Sequence, residues 1–132
     1  MGFRTGLIRP AGEWTPTAGM QERNADYYDQ VFRSSPAYTC PYRQSPYYFL
    51  WCVVVDRIIQ AQTNSVLDIG CGPGQVARFL CDKGLPRYTG IDLSPVAIEM
   101  AQKLCPDYAF FAANALETKL FASAQYNTVL NL

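Results

Sequence analysis

The segment from Ser65 to Leu80 concentrates the residues of this chain whose types and spacing could do chemistry. It reads SVLDIGCGPGQVARFL, in which an apolar run carries Asp68 and three glycines follow at positions 70, 72 and 74. Glycine permits positive φ and lets a ligand approach the main chain closely. The helix that follows such a loop offers N–H groups that favour an anion. The loop therefore predicts a ligand with a negatively charged end.

A second carboxylate, Asp92, comes eighteen residues after Gly74 at the end of another apolar run. This is close to the spacing of about 20 residues at which an acidic residue at a strand end binds ribose hydroxyls. Asp92 therefore predicts a nucleoside ligand with a ribose and an adenine. Two alternatives remain open, because Asp68 could cap a turn and Asp92 could begin the next helix together with Ser94.

The spacing of the glycines excludes one class of nucleotide site and disfavours another. No Gly-Lys-Ser/Thr follows the loop, which excludes a nucleoside triphosphate loop of the usual pattern. The third glycine comes one position too early for GxGxxG, the fingerprint of a dinucleotide site. A dinucleotide-dependent oxidoreductase is therefore a disfavoured alternative.

Short apolar runs alternate with helical patterns from Val66 onward. They predict strands over residues 66–69, 88–91, 108–112 and 126–132, helices over 75–83 and 95–104, and a helical turn over 115–121. Such alternation predicts an α/β protein with a doubly wound parallel sheet.

Upstream of these units the sequence predicts N-terminal helices. A short helix is expected over residues 21–32, followed by turns in the proline-punctuated, tyrosine-rich segment that runs to Trp51. Ser45 and Pro46 predict the start of a longer helix with one apolar stripe, formed by Tyr47, Leu50, Trp51, Val54, Val55 and Ile58.

The composition fits one globular domain. The chain has 132 residues, 49% of them hydrophobic, and its eleven basic and eleven acidic residues cancel, so no broad attraction to nucleic acid or a membrane surface is expected. Five scattered cysteines without a CxxC pair, and the absence of histidine, exclude the usual zinc sites and predict a reducing compartment. With no signal-peptide pattern, we expect a cytoplasmic protein with a flexible arm over 1–20 and one domain over 21–132.

Four segments together resemble a known family. VLDIGCGPGQVARFL, YTGIDLSPVAIEMA, AFFAANALE and YNTVLNL resemble, in order and spacing, successive motifs of the class I S-adenosylmethionine-dependent methyltransferases. The tyrosine-rich segments YYDQVFRSS and CPYRQSPYYFLW resemble the N-terminal cover that closes over the cofactor in the members that act on small molecules. The resemblance implies a Rossmann-like sheet, truncated here after the fourth strand, with S-adenosyl-L-methionine as cofactor and no metal.

The resemblance also implies roles for individual residues. Asp68 and the glycine loop hold the methionine part of the cofactor, Asp92 takes the ribose hydroxyls, and Leu93 packs on the adenine. Residues 114–115 meet the adenine edge, and Asn131 lies near the methionine amino group and sulfonium. The complete cofactor-binding set is Tyr28, Asp68, Gly70, Cys71, Gly72, Gly74, Asp92, Leu93, Asn114, Ala115 and Asn131.

Several of these residues also have a plain structural interpretation. Asn114 followed by Glu117 reads equally well as a helix cap. Cys71 could be a reactive thiol at a helix N-terminus, but a small packed residue in a tight loop is the favoured interpretation. Tyr47, Tyr48 and Arg43 are further candidates for ligand contact that could equally be structural or solvated.

The implied activity is methyl transfer to a small molecule, with this chain supplying the cofactor-binding half. The alternative is a non-catalytic fragment that binds a cofactor or a partner. No catalytic base is nominated, since the chain lacks histidine and the family builds its acceptor pocket largely from later segments. The Asn/Asp-Pro-Pro-aromatic motif of base-modifying members is absent after Asn131, so no nucleic-acid partner is expected. An apolar fourth strand at a sheet edge predicts a homodimer or marginal stability.

Overall fold

The computed structural model of the protein describes residues 23–116 and 125–132. The elements in chain order are α1 (Ala25–Ser34), α2 (Pro36–Thr39), a 3₁₀ turn (Tyr42–Gln44), α3 (Tyr48–Gln60), β1 (Ser65–Ile69), α4 (Gln75–Asp82), β2 (Arg87–Asp92), α5 (Pro95–Leu104), β3 (Ala109–Ala112) and β4 (Thr128–Leu130). The predicted arm over 1–20 lies outside the described residues, as does the predicted helical turn beyond Leu116. No helix of the described part is both long and apolar enough to cross a membrane.

The four strands form one parallel sheet in the order β3-β2-β1-β4. The chain moves outward from β1 through β2 to β3 and then returns to place β4 on the other side of β1. The strand order therefore reverses between β1 and β4, which is where open sheets of this kind bind ligands, outside the carboxyl ends of the strands. The expected doubly wound α/β architecture is confirmed.

The strands differ from the prediction only at their ends. β3 begins at Ala109 because the N–H of Tyr108 donates to the carbonyl of Cys105 in the preceding turn, at 3.2 Å. β4 is shorter than predicted because its three residues pair only with Val66, Leu67 and Asp68 of β1. The limits of a strand depend on the partner strand, which a local pattern does not specify.

The N-terminal segment departs further from the prediction. α1 begins at Ala25, where Asn24 Oδ1 accepts the N–H of Tyr27 at 3.1 Å, rather than at residue 21. The segment expected to form only turns contains α2 and the 3₁₀ turn. The long helix starts at Tyr48, because Ser45 Oγ accepts the N–H of Tyr47 in a turn that precedes α3.

The predicted apolar stripe is divided between the hydrophobic core and the cavity. Trp51, Val55 and Ile58 are buried in the hydrophobic cluster formed with residues of all four strands, α4 and α5. Tyr47 and Leu50, predicted to share that stripe, are 42% and 54% exposed. They stand at the carboxyl side of the sheet, where a cavity opens.

Candidate functional site

A cavity of about 760 Å³ lies at the carboxyl ends of β1 and β2. Its volume is in the range of pockets that bind small molecules. The glycine loop, the ends of the two strands and residues 113–115 form one side. The opposite side is largely aromatic and comes from the N-terminal segments, through Tyr27, Tyr28, Phe32, Tyr38, Tyr47 and Trp51.

Most of the predicted site residues meet at this cavity. Those that line it are Tyr28, Asp68, Gly70, Cys71, Gly72, Asp92, Leu93, Asn114 and Ala115. Gly74 and Asn131 do not line it, and Leu132 takes the place expected for Asn131. Tyr47 also lines it, whereas Tyr48 and Arg43 line a separate surface cavity beside α4.

Gly74 has a structural reason of its own. It adopts φ +86°, in the left-handed region that favours glycine, and a Cβ there would lie 2.9 Å from the Cα of Ala101. Real Cβ atoms do not approach a backbone atom that closely. The third glycine of the loop is therefore required for α4 to pack on α5.

The loop N–H groups are already hydrogen-bonded within the protein. Gly70 and Cys71 donate to the carbonyl of Ile91 at 2.7 and 3.0 Å, and Gly72 donates to Asp92 Oδ2 at 2.9 Å. The N–H groups predicted to favour an anion are those at the start of α4, and these three loop N–H groups are not among them. Their bonds fasten the loop to the end of β2, and the glycines leave the main chain bare at the cavity.

Asp92 supports the start of α5, as its structural interpretation predicted, and also lines the cavity. Oδ2 accepts the N–H of Gly72 and Oδ1 accepts the N–H of Ser94, each at 2.9 Å, while the residue lines the cavity. Burial raises the pKa of Asp92, and the main-chain hydrogen bonds act in the opposite direction. Each carboxylate oxygen can accept more than one hydrogen bond, so acceptor capacity remains for a ligand hydroxyl.

Asp68 is a buried carboxylate with one oxygen unused. Oδ2 accepts the hydroxyl of Tyr88 at 2.5 Å, whereas Oδ1 has no hydrogen-bond partner among the described residues. Only 2% of Asp68 is exposed, and burial raises its pKa to about 6. A buried acceptor without a partner is costly, so this atom indicates a site for a donor from a ligand.

Cys71 is a packed residue of the loop. A Cβ on Gly90 would lie 2.7 Å from Cys71 Sγ and 2.7 Å from the ring of Phe110, so the bare strand position makes room for the thiol. Burial raises the pKa of Cys71, and the nearby Asp68 and Asp92 raise it further. The thiol therefore stays protonated, and the packed interpretation is favoured over the reactive one.

Asn114 forms a local turn at the cavity. Its Oδ1 accepts the N–H of Leu116 at 3.0 Å, while Glu117, its partner in the alternative cap, lies outside the described residues. A side chain that caps its own turn is a common use of asparagine. The residue also lines the cavity.

Two residues that the sequence analysis did not single out hold α1 over the cavity. Asp29 accepts hydrogen bonds from the hydroxyl of Ser94 and, at 3.3 Å, from the N–H of Val96 at the start of α5. The Phe32 ring lies 3.5 Å from the position that a Cβ of Gly72 would occupy. No local pattern points to either contact, because their partners lie 40 or more residues away. By contrast, the sequence does indicate that Tyr88, Gly90 and Asp92 share one face of β2, because they are alternate residues of one strand.

Comparison with known proteins identifies the family. The family model described as "Methyltransferase domain" matches residues 66–132, the part that contains all four strands apart from the first residue of β1. The chain belongs to the class I S-adenosylmethionine-dependent methyltransferases. The resemblance given by its motifs is thereby confirmed.

The similarity to individual proteins covers part of this chain and a smaller part of each similar protein. Trans-aconitate 2-methyltransferase of Enterobacter sp. (strain 638) is 36% identical over 64 residues, which are 48% of this chain and 25% of that protein. The plantazolicin methyltransferase BpumL, solved with SAH, is 26% identical with a TM-score of 0.55, over 79% of this chain and 44% of its own. A structure from work on the conversion of a disulfide into a thioacetal in echinomycin biosynthesis is 27% identical with a TM-score of 0.59, over 82% and 46%. This chain thus spans about a quarter of the curated relative and under half of the solved neighbours.

Proposed function

We propose that this chain binds S-adenosyl-L-methionine in the cavity and supplies the cofactor-binding half of a methyltransferase that acts on a small molecule. The observation that carries the proposal is that two buried carboxylates on adjacent strands, Asp68 and Asp92, line one cavity at the switch point of the sheet. The Asp68 carboxylate suits an ammonium group, and the Asp92 carboxylate suits ribose hydroxyls.

The residues present fit the parts of this cofactor. Asp68 offers an unpartnered Oδ1 to the ammonium group of the methionine part, and Asp92 offers its carboxylate to the ribose. Leu93 provides an apolar contact for the adenine, whose edge meets residues 114–115. The main chain at Gly70, Cys71 and Gly72 leaves room for the methionine part, and the Tyr28 ring lies opposite. Gly74 and Asn131 are left out of the proposed set.

The chain itself contributes binding, orientation and exclusion of water. When bound, the cofactor supplies an activated methyl group, so a precisely held geometry provides much of the rate. The aromatic side chains that line the cavity, from Tyr27 to Trp51, would contribute to excluding water from the bound cofactor. The names of two similar proteins, trans-aconitate 2-methyltransferase and plantazolicin methyltransferase, support a small-molecule acceptor.

The remaining parts of the proposal concern the whole chain. Residues 21–132 form one partial methyltransferase domain after an arm over 1–20, and the protein acts in the cytoplasm without a nucleic-acid or membrane partner. The even balance of eleven basic and eleven acidic residues supports the absence of a nucleic-acid partner. Two copies associate through β4, which lies at one edge of the described sheet.

Calorimetric titration of the chain with S-adenosylhomocysteine, S-adenosylmethionine and NAD tests cofactor binding. We expect both sulfur nucleosides to bind and Asp92→Asn to weaken them by about 10- to 100-fold, since hydrogen bonds to a charged group contribute about 1.5–3 kcal/mol. The exposed Asp107→Asn is the matched control and is expected to bind as the wild type does. Binding of NAD alone, or unchanged affinity in a folded Asp92→Asn, would refute the proposal. Transfer of labelled methyl groups into a metabolite extract then tests the activity.

A further inference from the structure

Tyr88 does not line the cavity, but it contacts the site residue Asp68. It lies near the start of β2, is 3% exposed, and donates its hydroxyl hydrogen to Asp68 Oδ2 at 2.5 Å. Parallel register pairs Tyr88 with Val66 and Gly90 with Asp68. Because alternate residues of a strand share a face, Tyr88 and Asp68 lie on the same face of the sheet, one step apart along the strands.

Within residues 23–116 and 125–132, no cationic side chain is among the groups that act on Asp68. The ionisable groups facing it are Tyr88 and Asp92 from β2 and Cys71 from the loop, while β4 places the apolar Leu130 in register beside it. The side chains of Tyr88, Asp92 and Cys71 are neutral when protonated and negative when deprotonated, so none of them can be a cation. An ammonium group from a ligand would supply the positive partner that these residues do not provide.

The two oxygens of Asp68 are used unequally. Oδ2 is held by the Tyr88 hydroxyl, and Oδ1 is buried without a hydrogen-bond partner among the described residues, while Asp68 itself lines the cavity. We propose that Tyr88 is a positioning residue for cofactor binding, whose hydroxyl holds the Asp68 carboxylate ionised and leaves Oδ1 to accept the ammonium group of the ligand. This inference rests on the proposed function.

The protonation of Asp68 supports this role and makes it measurable. Burial raises the pKa of Asp68 to about 6, and the hydrogen bond from Tyr88 opposes that rise. An ammonium group binds the ionised form, so affinity is full above pH 6 and weakens as the pH falls through the pKa. Without the Tyr88 hydroxyl the pKa rises further, and the loss of affinity begins at a higher pH.

The test is the pH dependence of S-adenosylhomocysteine binding in Tyr88→Phe. We expect the midpoint of the affinity loss to move upward by about one pH unit, as the removal of a hydrogen bond to a charged group predicts. Tyr108→Phe is the matched control, because its ring stacks on Tyr88 at 5.1 Å and its hydroxyl donates to the carbonyl of Leu85 at 2.7 Å. It should keep the wild-type midpoint.

A second readout needs no ligand. The ¹³C carboxyl resonance of Asp68, assigned with Asp68→Asn, should titrate at a higher pH in Tyr88→Phe than in the wild type. If Tyr88→Phe does not fold, 3-fluorotyrosine placed at position 88, a more acidic donor, should move both midpoints downward.

The possible failures are distinguishable. A wild-type chain that binds no sulfur nucleoside at any pH would overturn the proposed function and this inference together. Wild-type binding with coincident pH profiles for the wild type and the position-88 variant would overturn the role of Tyr88 alone.

Discussion

The Asp68 carboxylate is an unfavourable group in this fold. It is 2% exposed and accepts a single hydrogen bond, and no cation lies beside it among the described residues, so its charge is costly. In keeping with that cost, burial raises the pKa of Asp68 from an ordinary value near 3.8 to about 6. Strain of this kind is expected at binding sites, where the ligand removes it.

Asp68→Asn is expected to stabilise the ligand-free protein. The folded-state pKa is raised, so the stability that protonation provides is fully present below about pH 4 and is lost as the pH rises through 6. At pH 8 the variant should therefore exceed the wild type by up to about 3 kcal/mol in free energy of unfolding, and the two should converge below pH 4. Urea unfolding at both pH values measures this, with the exposed Asp107→Asn as control. Equal stability at pH 8 would contradict the prediction.

At the scale of elements, α1 covers the cavity because it is fastened to α5 and to the glycine loop. Asp29 accepts hydrogen bonds at the N-terminus of α5, where the helix dipole favours a carboxylate, and the Phe32 ring packs above Gly72. Next to these attachments, α1 presents Tyr28 and Val31 to the cavity. The position of the aromatic cover therefore depends on the same β2–α5 turn that carries Asp92.

Asp29→Ala should loosen α1 without unfolding the sheet. Loss of two hydrogen bonds to a carboxylate should increase hydrogen exchange of the α1 amides by about 10-fold or more, and ligand dissociation should accelerate in parallel. Asp26→Ala, which removes an exposed carboxylate one turn earlier in α1, is the control. Hydrogen exchange by mass spectrometry and stopped-flow fluorescence give the two readouts. Unchanged protection of α1 in Asp29→Ala would show that packing alone holds it.

At the scale of the whole molecule, apolar surface remains exposed on two sides of the described residues. β4 forms one edge of the sheet with Val129 58% exposed, and α3 turns Phe49 outward at 81%. An exposed strand edge with apolar side chains favours pairing with another chain. Of the two surfaces, only the strand edge adds main-chain hydrogen bonds to the apolar contact.

Val129→Lys is therefore expected to shift the protein toward the monomer. A lysine on an edge strand opposes edge-to-edge pairing, whereas Val53→Lys on the exposed face of α3 changes the charge equally and leaves the strand edge intact. Sedimentation velocity over a range of protein concentrations distinguishes the two variants. A wild-type protein that stays monomeric throughout, or equal effects of both substitutions, would refute association through β4.

Local patterns were sufficient for the units that build the sheet. α5 runs from Pro95 to Leu104 as predicted, because Ser94 Oγ accepts the N–H of Ala97 at 3.0 Å, a bond within one helical turn. α4 likewise ends within a residue of the prediction, before Gly84 at φ +79°. Such features depend on residues a few positions apart, so the sequence alone determined them. The sequence also predicted that the strands are parallel and that Asp68 and Asp92 lie at one site.

Only the tertiary structure decided which hydrogen bonds and packing contacts hold the site residues in place. Tyr88 reaches Asp68, the loop N–H groups donate to the end of β2, and Gly74 packs on Ala101, each across about 20 residues or more. The placement of α1 also depends on distant partners, since Asp29 bonds Ser94 and Val96. A periodic pattern records which face of an element is apolar, whereas these contacts depend on strand register and helix docking, which arise only when the separate elements pack together.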